Sequence, residues 1–145
     1  MEPILLELTN PDDKQAYQRT KEIAATCASS NIYYKDLELF ASLLDHEKSY
    51  VRTRAFILCC SLARWDSEHK LDTILPDLLK CFHDSKPTVV RQSLNAILEL
   101  LVYQPQYKDV IKKEVESICL SSYKDSMIPL LQKDCSKVLE LIQEL

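Results

Sequence analysis

The residues of this chain that could do chemistry are its six cysteines and three histidines. The cysteines are Cys27, Cys59, Cys60, Cys81, Cys119 and Cys135. None of them forms a C-x-x-C pair, and no set of four cysteines and histidines has the spacing of a zinc site. We therefore expect no metal and no other cofactor. Free thiols are typical of a reducing compartment, which predicts a cytoplasmic protein.

Glycine is absent from the 145 residues, although average usage would supply roughly ten. Rossmann domains, P-loop enzymes and nucleophile-elbow hydrolases need glycine where the backbone turns tightly or approaches a ligand closely. The composition therefore excludes these enzyme classes and favours an all-helical protein with short turns. Because no nucleophile stands in a recognisable pattern with a base, we predict that the protein is not an enzyme.

Charge and hydropathy restrict the class of partner. The chain has 18 basic and 22 acidic residues and a net charge of −4, which argues against strong binding to a polyanion such as nucleic acid. No apolar run approaches the ~20 residues that span a bilayer. The first residues, Met1 to Glu7, lack the basic region of a signal peptide. We expect no membrane partner.

Apolar residues recur with helical spacing at intervals of about 40 residues, which indicates a repeat protein. The clearest copy consists of Val51, Ala55, Leu58, Cys59 and Leu62. These positions lie on one face of an α-helix. The same spacing begins again at Val90 and at Leu131, and more weakly at Ala16. We call the first residue of each stripe its anchor.

A second apolar stripe precedes each of these helices, so that the repeating unit is a helical hairpin found about four times. The units span about 1–30, 34–65, 67–103 and 106–145. The turn inside each hairpin carries one residue of the same type, namely Asn10, Asp45, Asp84 and Asp125. Such side chains accept hydrogen bonds from free N–H groups where a helix begins. The pattern predicts helices over 3–9, 11–29, 34–44, 48–64, 67–82, 86–102, 106–121 and 127–145.

The third unit resembles a HEAT repeat most closely. Its first helix contains Pro76, its turn contains Asp84, and its second helix opens with Val90-Arg91. The second unit has the equivalent Val51-Arg52, whereas the fourth has Leu131-Gln132. The resemblance covers nearly the whole chain. It implies an all-α fold, in which residues 1–145 form one armadillo-like, right-handed α-solenoid of about four HEAT-like hairpins.

In HEAT repeats the turn aspartate and the helix arginine of neighbouring units tend to pair in a ladder along the stack. The resemblance implies a structural ladder of Asp45, Arg52, Asp84, Arg91 and Asp125. In this ladder Arg52 bridges to Asp84, and Arg91 bridges to Asp125. Gln132 cannot form an ion pair, so the ladder is expected to stop before it.

Solenoids of this kind bind other proteins along an extended surface, so the resemblance implies a scaffold or adaptor. Aromatic residues cluster in the turns that lead from one unit to the next, namely Tyr33, Tyr34, Trp65, Tyr103 and Tyr107. They form either a binding rim or the packing that seals the joints between units. Basic residues outside the buried stripes add further candidate contacts: Arg54, Lys133 and Lys137.

Other functions remain open. Some alkylpurine DNA glycosylases consist of HEAT-like repeats and use tryptophan and aspartate around a damaged base. Trp65-Asp66 therefore suggests a nucleic-acid-binding or DNA-repair module as the alternative. A prosthetic-group lyase is a less favoured third function. The last helix ends with the apolar Ile142 and Leu145, through which two copies could form a homodimer.

Overall fold

The apolar stripes produce helices throughout the chain. In a computed structural model that describes residues 2–145, 74% of the chain is helical, and the described residues form no strand. The prediction of an all-α protein is therefore confirmed. The helices within these residues are α1 (Pro3–Leu8), α2 (Asp13–Cys27), α3 (Leu37–Ala41), α4 (Ser49–Ser61), α5 (Leu71–Lys80), α6 (Pro87–Tyr103), α7 (Lys108–Glu116) and α8 (Ile128–Glu144).

Short 3-10 turns join or extend these helices, at Tyr34–Asp36, Ala63–Trp65, Cys81–His83, Pro105–Tyr107 and Leu120–Ser122. The largest deviation from the predicted bounds is at α7, which ends at Glu116 and not at residue 121. Helix α5 begins at Leu71 and not at residue 67. His69 has a φ of 56°, in the left-handed region where a helix cannot continue. The carboxylate of Asp66 then accepts hydrogen bonds from the backbone N–H groups of Lys70 and Leu71 at 2.9 and 3.0 Å.

The even-numbered helices contact one another in chain order. Helix α2 packs against α4, α4 against α6, and α6 against α8. Three odd-numbered helices pack on the even-numbered helix that follows them, α1 on α2, α3 on α4 and α7 on α8. The turn Cys81–His83 at the end of α5 packs on α6. The core therefore lies where each even-numbered helix meets its neighbours.

The predicted apolar stripes face this core. The four anchors Ala16, Val51, Val90 and Leu131 are all buried. Phe56 lies outside the stripe of α4 and is fully buried as well, with its ring centre 6.0 Å from that of Phe82. Helix α4 is therefore buried on more than one side.

The turn residues close the turn just before the helix in two of the four hairpins. Asn10 accepts a hydrogen bond from the backbone N–H of Asp12, and Asp84 accepts one from Lys86, each at 2.9 Å. In the second hairpin Nδ1 of His46 accepts a hydrogen bond from the backbone N–H of Lys48 at 3.1 Å. This is the role that was predicted for the side chain of Asp45. Asp125 is exposed.

Candidate functional site

One predicted rung of the ladder joins the second and third units. Arg52 on α4 donates to both carboxylate oxygens of Asp84, at 2.7 and 3.0 Å, and also to the backbone carbonyl of His46 at 2.8 Å. Both side chains of the ion pair are largely buried. The hydrogen bond to Asp84 raises the pKa of Arg52. The Arg52–Asp84 pair predicted from the sequence is thus present.

The next predicted rung is wrong. Arg91 on α6 pairs with Asp134 on α8, at 2.7 Å, and not with Asp125. Asp134 is buried whereas Asp125 is exposed. A buried carboxylate needs a cation because it has lost its water, and an exposed carboxylate does not. The guanidinium group therefore lies on Asp134.

Asp45 takes no part in an ion pair with another described residue. It is exposed and lines a cavity of about 350 Å³. Arg52, Asp77, Cys81 and Asp84 also line this cavity. Of the predicted ladder, only the Arg52–Asp84 pair therefore forms as expected.

Arg54 is not a free surface residue, contrary to the prediction that it contacts a partner. Only 3% of the residue is exposed. Its guanidinium group donates to the backbone carbonyl of Leu8 and to the carboxylate of Asp13, both at 2.9 Å. Arg54 thus joins the second unit to the first. Its long side chain crosses the helix interface, which residue type alone does not reveal.

Two members of the aromatic row, Tyr34 and Tyr107, are buried and cannot form a binding rim. The hydroxyl of Tyr34 donates to Asp66 at 2.6 Å, and that of Tyr107 donates to Asp72. Burial, followed by the bond to the carboxylate, raises the pKa of both phenols. For these two tyrosines the second interpretation, packing that seals the joints between units, is the correct one.

The other aromatic residues of the row lie nearer the surface. The indole N–H of Trp65 donates to the backbone carbonyl of Cys27 at 2.7 Å, which satisfies a free carbonyl at the end of α2. Tyr33 is half-buried and accepts a bond from Arg19 at 3.3 Å. Tyr103 is exposed, with the guanidinium group of Arg64 4.4 Å from its ring centre. The bond from Trp65 to Cys27 ties the second unit to the first.

Lys133 and Lys137 lie one turn apart on α8, and both are exposed. Neither forms an ion pair within residues 2–145. These two lysines keep the surface position that was predicted for them. They do not line the groove described next.

A groove crosses the exposed side of α2, α4 and α6, and the sequence did not identify it. Its volume is about 430 Å³. We call it the tyrosine groove, and it is lined by Asp13, Lys14, Tyr17, Ser49, Tyr50, Thr53, Arg54, Thr88, Val89 and Gln92. Tyr17 is 50% exposed and Tyr50 is 63% exposed. Three units therefore contribute side chains to one surface.

The tyrosine groove is poor in free charge. Asp13 and Arg54 neutralise each other. Lys14 is then the one charged lining residue that forms no ion pair with another described residue. The remaining lining residues are aromatic, apolar or uncharged polar. Few charges together with exposed aromatic side chains are typical of the centre of a protein interface. Tyr50 and Val89 each stand one residue before an anchor, and this alignment could have pointed to the groove.

The Trp65-Asp66 pair does not offer a free carboxylate. Asp66 is buried, and it accepts bonds from the hydroxyl of Tyr34 and from the N–H groups of Lys70 and Leu71. A carboxylate with this many donors is held in place as a helix cap. Because it is buried and already bonded to three donors, it is not exposed to a flipped base.

The thiols divide by exposure. Cys27, Cys59, Cys60 and Cys81 are buried, and burial raises the pKa of Cys27 to about 11. Cys119 is exposed, and a hydrogen bond from Ser121 lowers its pKa. In the part of the chain that the structure describes, no three histidine, cysteine or acidic residues lie close enough to hold a metal ion.

Comparison of the chain with protein-family models, with curated proteins and with solved structures gave no match. Across residues 2–145, none of the helices combines the length and the apolar character needed to cross a bilayer. The role of the tyrosine groove therefore has to be inferred from its own side chains.

Proposed function

We propose that this protein is a non-catalytic interaction module, a scaffold or adaptor that binds a segment of a partner protein in the tyrosine groove. In this proposal about four HEAT-like hairpins stack as a right-handed α-solenoid. The contacts of α2 with α4, α4 with α6 and α6 with α8 support such a stack. The free cysteines support a cytoplasmic location.

The tyrosine groove is the observation that carries the proposal. Tyrosine gives a large contact area at a low cost in conformational entropy, and it is enriched among the residues that dominate binding energy. Thr53, Thr88 and Gln92 add hydrogen-bonding groups to the groove without adding charge. A partner segment can therefore bury apolar surface there and still satisfy its backbone.

The same groove does not favour the alternative of nucleic-acid or DNA-repair activity. Phosphate contacts come mainly from arginine and lysine. Among the residues that line the groove, the basic ones are Arg54, which Asp13 neutralises, and Lys14. The carboxylate of Asp66 is already occupied. Self-association through the end of α8, where Leu145 is exposed, remains a separate hypothesis that sedimentation velocity tests.

Site-specific photo-cross-linking tests the proposed function. Benzoylphenylalanine placed at Tyr50, in cells that produce the full chain, is expected to capture a protein, whereas the same group at Val110 on α7 is not. Val110 is a suitable control because it is also exposed and lies outside the groove. The captured protein is then identified and purified. Its dissociation constant from the purified chain is measured in a reconstituted binding assay.

In that reconstitution Thr53→Trp is expected to weaken binding by about tenfold or more, which corresponds to about 1.4 kcal/mol. The added indole fills the groove without changing its charge. Thr73→Trp, at an exposed threonine on α5, is the matched control and leaves the dissociation constant unchanged. Equal capture at Tyr50 and Val110, or binding that Thr53→Trp does not alter, contradicts the proposed function.

A further inference from the structure

We infer that the segment bound in the tyrosine groove is both apolar and acidic. It places an aliphatic or aromatic side chain between Tyr17 and Tyr50, and it places carboxylates on the lysines around the groove. The inference depends on the proposed function, because it assigns the chemistry of the partner at that same site.

Lysines lie in or close in sequence to the lining of the groove where its three helices begin. Lys14 lines the groove on α2, Lys48 immediately precedes α4, and Lys86 immediately precedes α6. All three are exposed, and none forms an ion pair with another described residue. Lys21 lies one turn after Tyr17 on α2, with its ammonium group 5.3 Å from the ring centre of that tyrosine. The apolar surface of the groove thus has free cations beside it.

The carboxylates at the same end of the helices cancel these lysines only in part. Asp13 is paired with Arg54, and Asp84 is paired with Arg52. Asp45 is unpaired among the described residues but lines the separate cavity beside Arg52 and Asp84. Asp12, which caps α2, and Glu47 keep their negative charge next to lining residues of the groove. The four lysines therefore outnumber these two carboxylates, although the whole chain carries a net charge of −4.

The first turns of α4 and α6 add to this positive potential. Ser49 and Tyr50 are the first two residues of α4, and Thr88 and Val89 belong to the first turn of α6. Neither helix has an acidic residue in its first turn. In neither helix does the side chain of the N-cap residue accept a hydrogen bond from the first turn. Their free N–H groups and helix dipoles favour negative charge. They reinforce the lysines, which carry the inference.

A peptide satisfies this pattern better than a nucleic acid does. A nucleic acid carries a phosphate at every step along its backbone. Some of these phosphates would therefore lie beside Asp12 and Glu47, whose negative charges repel them. A peptide can carry its carboxylates only where the lysines lie and can place an apolar side chain between the tyrosines. Charge complementarity around an apolar centre is the arrangement of a specific protein interface.

A phage-displayed library of random peptides of about twelve residues, selected on the immobilised full chain, tests the inference. Clones that also bind the Thr53→Trp variant are removed, which leaves peptides that need the groove. We expect these peptides to be rich in Asp and Glu next to an aromatic or aliphatic residue. Their binding should weaken as the salt concentration rises, because exposed charges are screened.

Charge reversal then separates this inference from the proposed function. The double variant Lys48→Glu/Lys86→Glu is expected to weaken a selected peptide by about tenfold or more. The matched control is Lys112→Glu/Lys113→Glu on α7, which makes the same change in net charge at exposed positions and should have no effect.

Four results would overturn the inference. Selected peptides that need the groove but are neutral or basic, or that bind the Lys48→Glu/Lys86→Glu variant normally, contradict it and leave the proposed function intact. The absence of any groove-dependent peptide contradicts both. Displacement of a groove-dependent peptide by a single-stranded oligonucleotide, whose own binding to the chain is lost in Thr53→Trp, assigns the groove to nucleic acid instead.

Discussion

Replacement of Phe56 by alanine is expected to lower the free energy of unfolding by about 3–5 kcal/mol. Phe56 is fully buried on α4, and its ring packs near that of Phe82. Helix α4 contacts both α2 and α6, so neighbouring helices hold the cavity open from two sides. Because a domain of this size has a total stability of about 5–15 kcal/mol, this variant loses a large share of it.

Urea unfolding followed by far-ultraviolet circular dichroism measures this loss. Phe56→Leu fills most of the cavity and should cost less than about 1.5 kcal/mol, so it remains measurable even if the alanine variant does not fold. Tyr50→Ala changes an exposed aromatic residue on the same helix and should stay within about 0.5 kcal/mol of the original protein. A loss below about 1 kcal/mol for Phe56→Ala would contradict the packing of α4 described above.

Arg54→Met is expected to destabilise the fold by about 2–4 kcal/mol, because it leaves a buried carbonyl without a donor. The guanidinium group of Arg54 satisfies the carbonyl of Leu8 and also binds Asp13 on α2. Methionine matches much of the apolar length of the arginine side chain, so the effect reports chiefly on the lost hydrogen bonds. The first unit should be the part of the protein most affected.

The measurement combines urea unfolding with hydrogen exchange of the amides in α1 and α2. Asp13→Asn is the control, since the amide oxygen can still accept from Arg54 and the side chain is largely exposed. It should cost less than about 1 kcal/mol. If Arg54 were a surface residue reserved for a partner, Arg54→Met would leave both the unfolding free energy and the exchange rates unchanged.

The sequence was sufficient to predict the helices because their burial is periodic. The anchors Ala16, Val51, Val90 and Leu131 are all buried, and this one-sided burial forces a helix at each of them. The predicted start of α5 failed because one side chain delays the helix. This is Asp66, whose carboxylate caps the helix four residues later than expected, after the left-handed His69.

Contacts between units could not be predicted in the same way. Arg54, Tyr34 and Tyr107 resemble surface residues in type, yet each reaches across a joint to a polar group of another unit. Their burial depends on which helix lies opposite, and one sequence does not contain that information. Asp134 was missed for the same reason, because a carboxylate on an amphipathic helix normally faces water.

The tyrosine groove was also missed, since its lining residues are far apart in the sequence. Tyr17, Tyr50 and Gln92 lie on three different helices, and none of them is unusual in its own segment. The groove exists only because α2, α4 and α6 lie side by side. A repeat alignment places Tyr50 and Val89 at equivalent positions, but it does not show that both positions are exposed to the same space.

The stacking of units in chain order, on which the groove depends, is tested most directly by a double-mutant cycle. The cycle measures the coupling free energy between Arg91 and Asp134 with alanine substitutions at each position and at both. A coupling of about 1–2 kcal/mol is expected for this hydrogen-bonded pair, of which Arg91 is partly exposed and Asp134 is buried. The same cycle between Arg91 and Asp125 should give zero within about 0.5 kcal/mol. Coupling of Arg91 to Asp125, or to neither carboxylate, would contradict the contact of α6 with α8 and with it the stacking of the units in chain order.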